Sequence, residues 1–137
     1  MIIQRTRDVY TGMYDFAVSG GAIGSLDLQI PVPANSLIIE FVVRTVTVAA
    51  SGGAATISFD LINTSVSPVV TTVGALRAAT VIAGNFDGAN TIKAGIPQTV
   101  NTAIWVTNPF SIGISIAVAA LTAGKITVTL RAISYDF

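Results

Sequence analysis

Apolar and polar residues alternate with a period of two along most of this sequence. Leu26, Leu28 and Ile30 share one face of an early segment, and the polar residues between them share the other. Successive side chains of a β-strand point to opposite faces, so this alternation predicts a half-buried strand. The same alternation recurs in residues 55–62, 112–118 and 126–135. The chain is therefore predicted to fold almost entirely as β-structure.

Residues 37–48 are apolar on both faces, so alternation alone does not assign them. Their Ile, Val and Thr content favours a strand, because β-branched side chains pack well on a pleated surface. We predict a long interior strand here and a second interior strand in residues 126–135. Residues 116–135 read as two strands joined by a short loop around Ala123 and Gly124, which predicts a hairpin-like pair.

One segment has helical character. Residues 72–83 are rich in alanine and contain Leu76, both strong helix formers, and Gly84 offers a stop. We predict a helix of about one or two turns near Ala75. It is expected to lie inside a less regular insert that spans roughly residues 63–98.

Together these elements predict an all-β protein, a jelly-roll-like antiparallel β-sandwich of about eight strands with one short helical insert. Two facing sheets cover each other's apolar faces and limit exposed edges. At 137 residues the chain is long enough for one domain with a sizeable core. We expect a single sandwich domain in residues 13–137, preceded by an N-terminal arm in residues 1–12.

The composition predicts that other protein covers part of the surface. Only 10% of the residues are charged, against about 25% in an average soluble domain, while 52% are hydrophobic. So few charges do not coat a monomer in the usual way. Val42, Val46 and Val48 also lie opposite an already apolar face of their strand. We therefore expect a homo-oligomer.

Charge and hydropathy argue against two classes of partner. The seven basic and seven acidic residues cancel, which removes the electrostatic footprint of a protein that binds nucleic acid or an anionic membrane. The longest nearly unbroken apolar run, residues 112–121, is about half the ~20 residues that a membrane-spanning helix needs. We expect no nucleic-acid partner and no membrane partner.

The sequence contains no residue set that specifies a reaction. Histidine and cysteine are absent, which excludes imidazole-activated nucleophiles and thiolate metal sites. Glu40 and Asp60 are the only pair of carboxylates on candidate central strands, and glycoside hydrolysis needs such a pair. Carboxylates on a solvent face or an edge are the favoured interpretation. Residues 85–90 offer oxygen ligands for calcium, but a turn at Asp87 and Gly88 is favoured because the acidic density and terminal Glu of a calcium loop are missing. We expect no enzyme activity, no cofactor and no metal.

The aromatic residues leave two interpretations open. Trp105, Tyr10, Tyr14 and Tyr135 offer flat rings on which sugars can stack, as in lectin-like sandwiches. The alternative, which the low aromatic content of 7% favours, is that they fill a core or an interface.

The N-terminal segment is the candidate anchor. It holds the only basic cluster, Arg5 and Arg7, and precedes the first well-patterned strand. Its alternation allows it to add as a strand to the edge of a neighbouring sheet, with main-chain hydrogen bonds supplying affinity and the arginines pairing with carboxylates. We predict that the interface residues are Arg5, Arg7, Val9 and Tyr10.

Four stretches carry a resemblance to a known family: "YDFAVSGGAIGSLDLQIPVPANSLIIEFVVRTVTV", "GGAATISFDL", "LRAATVIAG" and "SIAVAALTAGKITVTLRAISY". They resemble small β-sandwich proteins encoded among the structural genes of tailed bacteriophages, whose members with an assigned role are capsid decoration, cement or head-fibre subunits. The resemblance covers most of residues 14–135, and residues 63–98 follow it only loosely. It implies a jelly-roll subunit, often trimeric, on the outside of the major capsid lattice. The four stretches are patterns of apolar and polar residues without a catalytic signature, so the resemblance assigns no site residue in this sequence.

The expected function is that of a structural virion protein, a capsid decoration or cement subunit at the capsid surface. Its expected partners are copies of itself, as a homotrimer, and the major capsid protein. The alternative is a carbohydrate-binding, lectin-like β-sandwich module at a phage or bacterial surface.

Overall fold

The computed structural model of the chain describes residues 4–95 and 104–136, with side chains for residues 8–95 and 104–135. These residues form nine strands and one short helix. The elements are β1 (Gln4–Asp15), α1 (Phe16–Ser19), β2 (Gly24–Val32), β3 (Ser36–Ser51), β4 (Thr56–Asn63), β5 (Val70–Val81), β6 (Ile92–Ala94), β7 (Ile104–Val106), β8 (Phe110–Ala117) and β9 (Leu121–Asp136). The predicted all-β class is confirmed.

The strands form two antiparallel sheets. Sheet A has the order β1–β9–β3–β6, and sheet B has the order β2–β8–β4–β5. β7 also pairs with β3, at residues 36–38, whereas β6 pairs with residues 42–44, so β6 and β7 together occupy the fourth position of sheet A. This interleaved order, in which the chain repeatedly changes sheet, is that of a jelly roll. The predicted sandwich is confirmed, and so are β3 and β9 as interior strands.

The core lies between the two sheets. Phe41 of β3 and Phe59 of β4 face each other across it with ring centroids 5.6 Å apart, and Phe86 from the β5–β6 loop lies 6.4 Å from Phe59. All three rings are fully buried. Tilted aromatic pairs at these distances add attraction beyond the burial of apolar area. The three phenylalanines therefore join both sheets and the β5–β6 loop.

The predicted hairpin in residues 116–135 is wrong. β8 ends at Ala117 and β9 begins at Leu121. Ala123 and Gly124 therefore lie within β9. β8 pairs with β2 and β4 in sheet B, whereas β9 pairs with β1 and β3 in sheet A. The alternation was misleading because it looks the same whether two successive strands pair or face each other across a shared core.

The predicted helix near Ala75 is also wrong. Residues 70–81 form β5, which pairs with β4 from Asn63 opposite Val70 to Thr56 opposite Val81. The strand bulges where Gly74 takes a φ of +75°, a left-handed conformation that glycine adopts without strain. Pairing with β4 and burial of Leu76 outweigh the weak helix propensity of the alanines. The insert is thus more regular than predicted up to Val81.

The short helix α1 turns the chain from β1 towards β2. The side chain of Asp15 accepts a hydrogen bond from the main-chain N–H of Ala17, which caps the helix at its N-terminus. Gly20 follows the helix with a φ of +73°. In residues 4–95 and 104–136, no helix is long and apolar enough to cross a membrane.

Candidate subunit interface

The predicted interface residues lie on β1, an edge strand of sheet A. β1 pairs with β9 along its whole length, from Gln4 opposite Asp136 to Asp15 opposite Lys125. Residues 4–12 of the predicted arm are thus continuous with the sandwich. Within the described part of the chain, the other edge of β1 has no neighbouring strand. A free edge presents main-chain N–H and C=O groups to which a strand of a partner can add.

Val9 and Tyr10 occupy opposite faces of β1. Val9 is 55% exposed on the outer face of sheet A, opposite Arg131. Tyr10 packs against the core, and its hydroxyl donates to Asp8 Oδ2 at 3.4 Å. Burial, and then the charge of Asp8, raises the pKa of Tyr10. Val9 is therefore available on an outer surface, while Tyr10 faces inward.

The two predicted arginines are placed by their main chain. Arg5 lies opposite Tyr135 and Arg7 lies opposite Ile133 in the β1–β9 register. Their side chains lie outside the described residues. Their positions place both at the end of the edge strand near the N-terminus.

The outer face of sheet A carries two ion pairs. Arg131 Nε lies 3.2 Å from Glu40 Oε2, and Lys125 Nζ lies 3.5 Å from Asp15 Oδ2. Each pair joins residues directly opposite on adjacent strands, so it favours the observed register. Both pairs are partly exposed, and pairs of this kind add little stability.

The valines predicted to contact another subunit also lie on β3. Val48 is exposed, whereas Val42 and Val46 are partly buried. The outer face of sheet A is thus mixed, with apolar side chains and threonines between the two ion pairs.

A network of hydrogen bonds centred on Asp60 crosses sheet B. Asp60 has no exposed surface. Its Oδ1 accepts from Ser58 Oγ at 2.9 Å and from the main-chain N–H of Gly74 at 2.8 Å, and its Oδ2 accepts from Ser115 Oγ at 2.5 Å. Ser115 Oγ also shares a hydrogen bond of 2.7 Å with Ser25 Oγ. Since these residues lie on β2, β8, β4 and β5, the network links all four strands.

Sequence reasoning missed this network. The prediction of a solvent-facing or edge carboxylate is confirmed for Glu40, which is about half exposed, and is wrong for Asp60, which is covered. The bulge of β5 brings the N–H of Gly74 onto the carboxylate. The sequence did contain one signal for the network, which is the spacing of Ser58 and Asp60. Residues two apart on a strand share a face, so their side chains can form a hydrogen bond.

Glu40 and Asp60 do not form a catalytic pair. Glu40 lies on β3 in sheet A and pairs with Arg131, while Asp60 lies on β4 in sheet B. Two carboxylates of a glycosidase must flank the same bond. Carboxylates on different sheets, one of them wholly buried, do not meet that requirement.

The loop suggested for calcium uses its amide oxygens within the protein. Asn85 Oδ1 accepts from Arg77 Nη2 at 3.1 Å, and Asn90 Oδ1 accepts from Arg44 Nη2 at 2.5 Å. The N–H of Thr91 donates to the carbonyl oxygen of Gly88, which closes a turn. Among the described residues no cluster of three or more metal-ligating side chains exists. The segment is a turn, as favoured by the sequence.

Arg77 links the two sheets of the sandwich. Besides Asn85, its guanidinium donates to the carbonyl oxygen of Ala94 in sheet A at 2.6 Å and lies 5.8 Å from the ring centre of Phe86. Burial lowers the pKa of Arg77. The side chain therefore tethers β5 of sheet B to β6 of sheet A.

The aromatic residues divide between the core and the surface. Tyr14 is fully buried. Trp105 is exposed on β7, and its ring centre lies 5.7 Å from that of Tyr135 with a tilt of 50°. Trp105 also lines a shallow cavity of about 240 Å³ together with Asn63 and Asn108. Tyr14 therefore fills the core, as the second interpretation predicts, whereas Trp105 keeps an exposed ring.

The hydroxyl of Tyr14 supports a prediction about alkaline stability. It donates to the carbonyl oxygen of Gly20 at 2.5 Å, and burial, then the charge of Asp15, raises the pKa of Tyr14 above 10.0. A raised folded-state pKa gives stability that is complete below pH 10.0 and is lost as the pH rises above it, because ionisation then favours unfolding. We expect Tyr14→Phe to cost about 1 kcal/mol of unfolding free energy at neutral pH and to reduce the alkaline loss.

Urea unfolding at neutral pH and above pH 10.0 measures both effects, with Tyr135→Phe as the control. The control is expected to retain the alkaline loss. A Tyr14→Phe variant that loses as much stability in alkali as the natural chain would show that Tyr14 does not contribute to it.

The comparisons with known proteins concern the fold. No protein-family model matches the chain, and no curated protein matches it significantly. A chain in the acid-stable capsid structure of Helicobacter pylori bacteriophage KHP30 superimposes with a TM-score of 0.64 at 9% identity, over 98% of this chain and 97% of that one. A chain in the capsid asymmetric unit of cyanophage Pam1 gives a TM-score of 0.63 at 14% identity, over 95% and 86% of the two chains.

A third similar structure comes from the capsid of Ralstonia phage GP4. It gives a TM-score of 0.59 at 19% identity and covers 93% of this chain and 84% of that one. At such low identities the likeness concerns the fold. The chain has the jelly-roll fold that is also present in these three phage capsid structures.

Proposed function

We propose that this chain is a structural virion protein, a capsid decoration or cement subunit that binds the outside of a phage capsid and stabilises it. The observation that carries the proposal is that this chain and a similar phage capsid chain superimpose over nearly their whole lengths. This chain and its KHP30 counterpart match over 98% and 97% of their lengths, so the matched capsid chain is itself a single small jelly roll. A capsid component of that size, similar from end to end, supports a role as a separate structural subunit.

The proposed mechanism is mass action. A subunit that binds the assembled lattice, and not its dissociated components, stabilises the lattice in proportion to its occupancy. We propose a homotrimer, because three linked contacts add avidity without strong single contacts. The low charge content and the exposed apolar residues of the chain support burial of surface in such an assembly.

We propose the free edge of β1 as the anchor to the major capsid protein, with Arg5, Arg7, Val9 and Tyr10 as its interface residues. Val9 is exposed on the outer face, and the arginines lie at the end of the same edge. A partner strand added there gains main-chain hydrogen bonds, and arginine pairs with carboxylates fix its register. The inward-facing Tyr10 contributes by holding the strand against the core.

Binding to capsids tests the anchor. The natural chain is mixed with capsids assembled from the major capsid protein of the same phage, and bound protein is measured by co-sedimentation. We expect the double variant Arg5→Gln, Arg7→Gln to bind about tenfold more weakly, equivalent to about 1.4 kcal/mol. Its thermal midpoint is expected to stay unchanged, because the main-chain ladder of β1 is kept.

Lys93→Gln is the matched control, since it removes a cation from β6 at the opposite edge of sheet A. It is expected to bind as the natural chain does. Equal affinity of the arginine variant and the natural chain would place the anchor elsewhere. Deletion of residues 1–7 extends the test, and we expect it to cost only a small part of the stability because it removes one end of the β1–β9 ladder.

A carbohydrate-binding module is the second candidate function. The exposed Trp105 beside Tyr135, next to a cavity that Asn63 and Asn108 also line, favours it. An aromatic ring with nearby amides matches the apolar face and the hydroxyls of a sugar. A glycan array with the isolated protein tests it. Binding that is lost in Trp105→Ala would support this function, and an array without binding would exclude the glycans displayed.

A further inference from the structure

Three basic side chains gather around the short strand β6. Lys93 belongs to β6 itself, and Arg44 of β3 lies opposite Ile92 of that strand. Arg77 reaches β6 from the facing sheet, where its Nη1 donates to the carbonyl oxygen of Ala94 at 2.6 Å. The fold thus brings together three cations that are far apart in the sequence. We call Arg44, Arg77 and Lys93 the cationic cluster.

The cationic cluster has no carboxylate partner among the described side chains. The two other cations whose side chains are described do have one, because Lys125 pairs with Asp15 and Arg131 pairs with Glu40. No member of the cluster forms such a pair within residues 8–95 and 104–135. In this part of the chain, the charge of the cluster is therefore not neutralised by an ion pair.

The remaining described carboxylates are engaged or lie away from the cluster. Asp60 is buried in the hydrogen-bond network of sheet B. Asp8 and Asp27 lie on β1 and β2, the edge strands opposite to β6 and β5 in their sheets. Asp87 lies on the β5–β6 loop, where it lines a cavity beside the β3–β4 loop. Residues 96–103, which follow β6 in the sequence, contain no Asp or Glu.

Arg77 is held in place by uncharged groups. Its Nη1 and Nη2 donate to the oxygens of Ala94 and Asn85, its guanidinium lies against the ring of Phe86, and its Nε–H is covered without an acceptor. A guanidinium has five N–H donors, so Nη1 and Nη2 each keep one more. The contact at Nη1 lies at the exposed surface. A guanidinium fixed in this way is preorganised for an anion with two oxygen atoms.

Lys93 places a second positive charge beside this guanidinium. It lies opposite Val43, which is buried in the core, so its side chain leaves β6 on the face of sheet A that looks toward sheet B. Arg77 arrives from sheet B on the same face, at the neighbouring residue Ala94. Arg44 leaves the opposite face of sheet A and adds to the positive potential around β6.

We propose that the cationic cluster binds an anionic group, a phosphate or a carboxylate, between Lys93 and Arg77. Both groups present oxygen atoms in the geometry that a guanidinium recognises, while the ammonium group supplies a further positive charge. A bound anion would also provide the counter-charge that the described residues do not provide. The site is separate from the proposed capsid anchor, since β6 and β1 are at opposite edges of sheet A.

Titration with inorganic phosphate at fixed ionic strength tests the proposal, with binding followed by the amide chemical shifts of the natural chain. We expect saturable shifts in β6 and around Arg77 in β5. Lys93→Gln keeps the main chain of β6 and removes one of the two binding groups. We expect it to raise the dissociation constant for phosphate at least about tenfold.

Lys125→Gln is the matched control, because it removes the same charge from a lysine that is already paired with Asp15. General attraction of anions to the protein changes equally in both variants, so only a specific site distinguishes them. The control is expected to bind phosphate within about twofold of the natural chain. Circular dichroism checks that both variants keep the fold.

A peptide of four glutamates, titrated under the same conditions, distinguishes the two sources of the anion. Tighter binding of the peptide would assign the site to carboxylates of a protein partner, and tighter binding of phosphate would assign it to a phosphate ligand. The absence of saturable binding of both probes, or equal weakening in Lys93→Gln and Lys125→Gln, would overturn the inference. Capsid co-sedimentation tests the proposed function separately, since Lys93→Gln is expected to bind capsids normally.

Discussion

Asp60→Ala is expected to lower the free energy of unfolding by about 3–5 kcal/mol, which is a large part of the stability of a single domain. The carboxylate of Asp60 is fully buried and accepts from Ser58, Ser115 and the N–H of Gly74. Removing it leaves one buried donor, Ser58, and two partly buried donors, Gly74 and Ser115, without their acceptor on three strands. An unsatisfied buried polar group costs its full desolvation penalty. Urea unfolding followed by circular dichroism measures the loss.

Asp60→Asn is the matched control for this expectation. Its side-chain oxygen still accepts from Gly74, and its amide group donates to Ser115, so we expect a loss of about 1 kcal/mol. A loss below about 1 kcal/mol for Asp60→Ala would contradict the account, because the network would then contribute little. Equal losses for the two variants would show that charge, and not hydrogen-bond capacity, holds the strands together.

Phe59→Ala is the second substitution with a large expected effect. Phe59 lies between Phe41 and Phe86, at 5.6 and 6.4 Å between ring centres, and joins both sheets to the β5–β6 loop. Its removal leaves a cavity at the centre of the core, and substitutions of this type cost about 3–5 kcal/mol. Calorimetry of the natural chain and the variant measures the change in unfolding temperature.

Phe59→Leu refills most of the cavity and is expected to cost less, about 1–1.5 kcal/mol. Phe86→Leu then tests the position of the loop, since only Phe86 among the three rings lies outside a strand. A Phe59→Ala variant that unfolds within about 1 °C of the natural chain would show that the core has a different centre.

The period-two pattern predicted most of the strands but not their partners. Residues 37–48 were predicted as an interior strand because both their faces are apolar, and residues 126–135 were predicted as a second interior strand. The pattern records which side chains face the core, not which sheet a strand joins. The connection between β8 and β9 shows the consequence, since three residues carry the chain from sheet B to sheet A.

The false helix has a different cause. In the alanine-rich residues 72–83, helix propensity contributes less than about 1 kcal/mol per residue to the stability of a helix. Pairing with β4 outweighs this contribution. The alternation that would have indicated a strand is interrupted at Gly74, where β5 bulges. Leu76 then enters the core and Arg77 reaches the facing sheet, contacts that depend on residues far away in the sequence.

For the candidate interface, the sequence indicated a strand but not its partner. The alternation of residues 5–10 was interpreted as an arm that adds to a neighbouring sheet, whereas the structure pairs these residues with β9 of the same chain. The buried state of Asp60 was not foreseen, because its partners Ser115 and Gly74 come from other strands. The left-handed main-chain conformation of Val118 was not foreseen either, because nothing in the local sequence indicates it.

The central claim, decoration of a capsid, is tested most directly by electron cryomicroscopy of capsids incubated with the purified chain. Capsids without the chain serve as the reference. We predict additional density on the outer surface that fits the jelly roll, with copies grouped about a local axis and β1 next to the major capsid protein. Reconstructions that are identical with and without saturating chain, or extra density on the inner surface, would contradict the account.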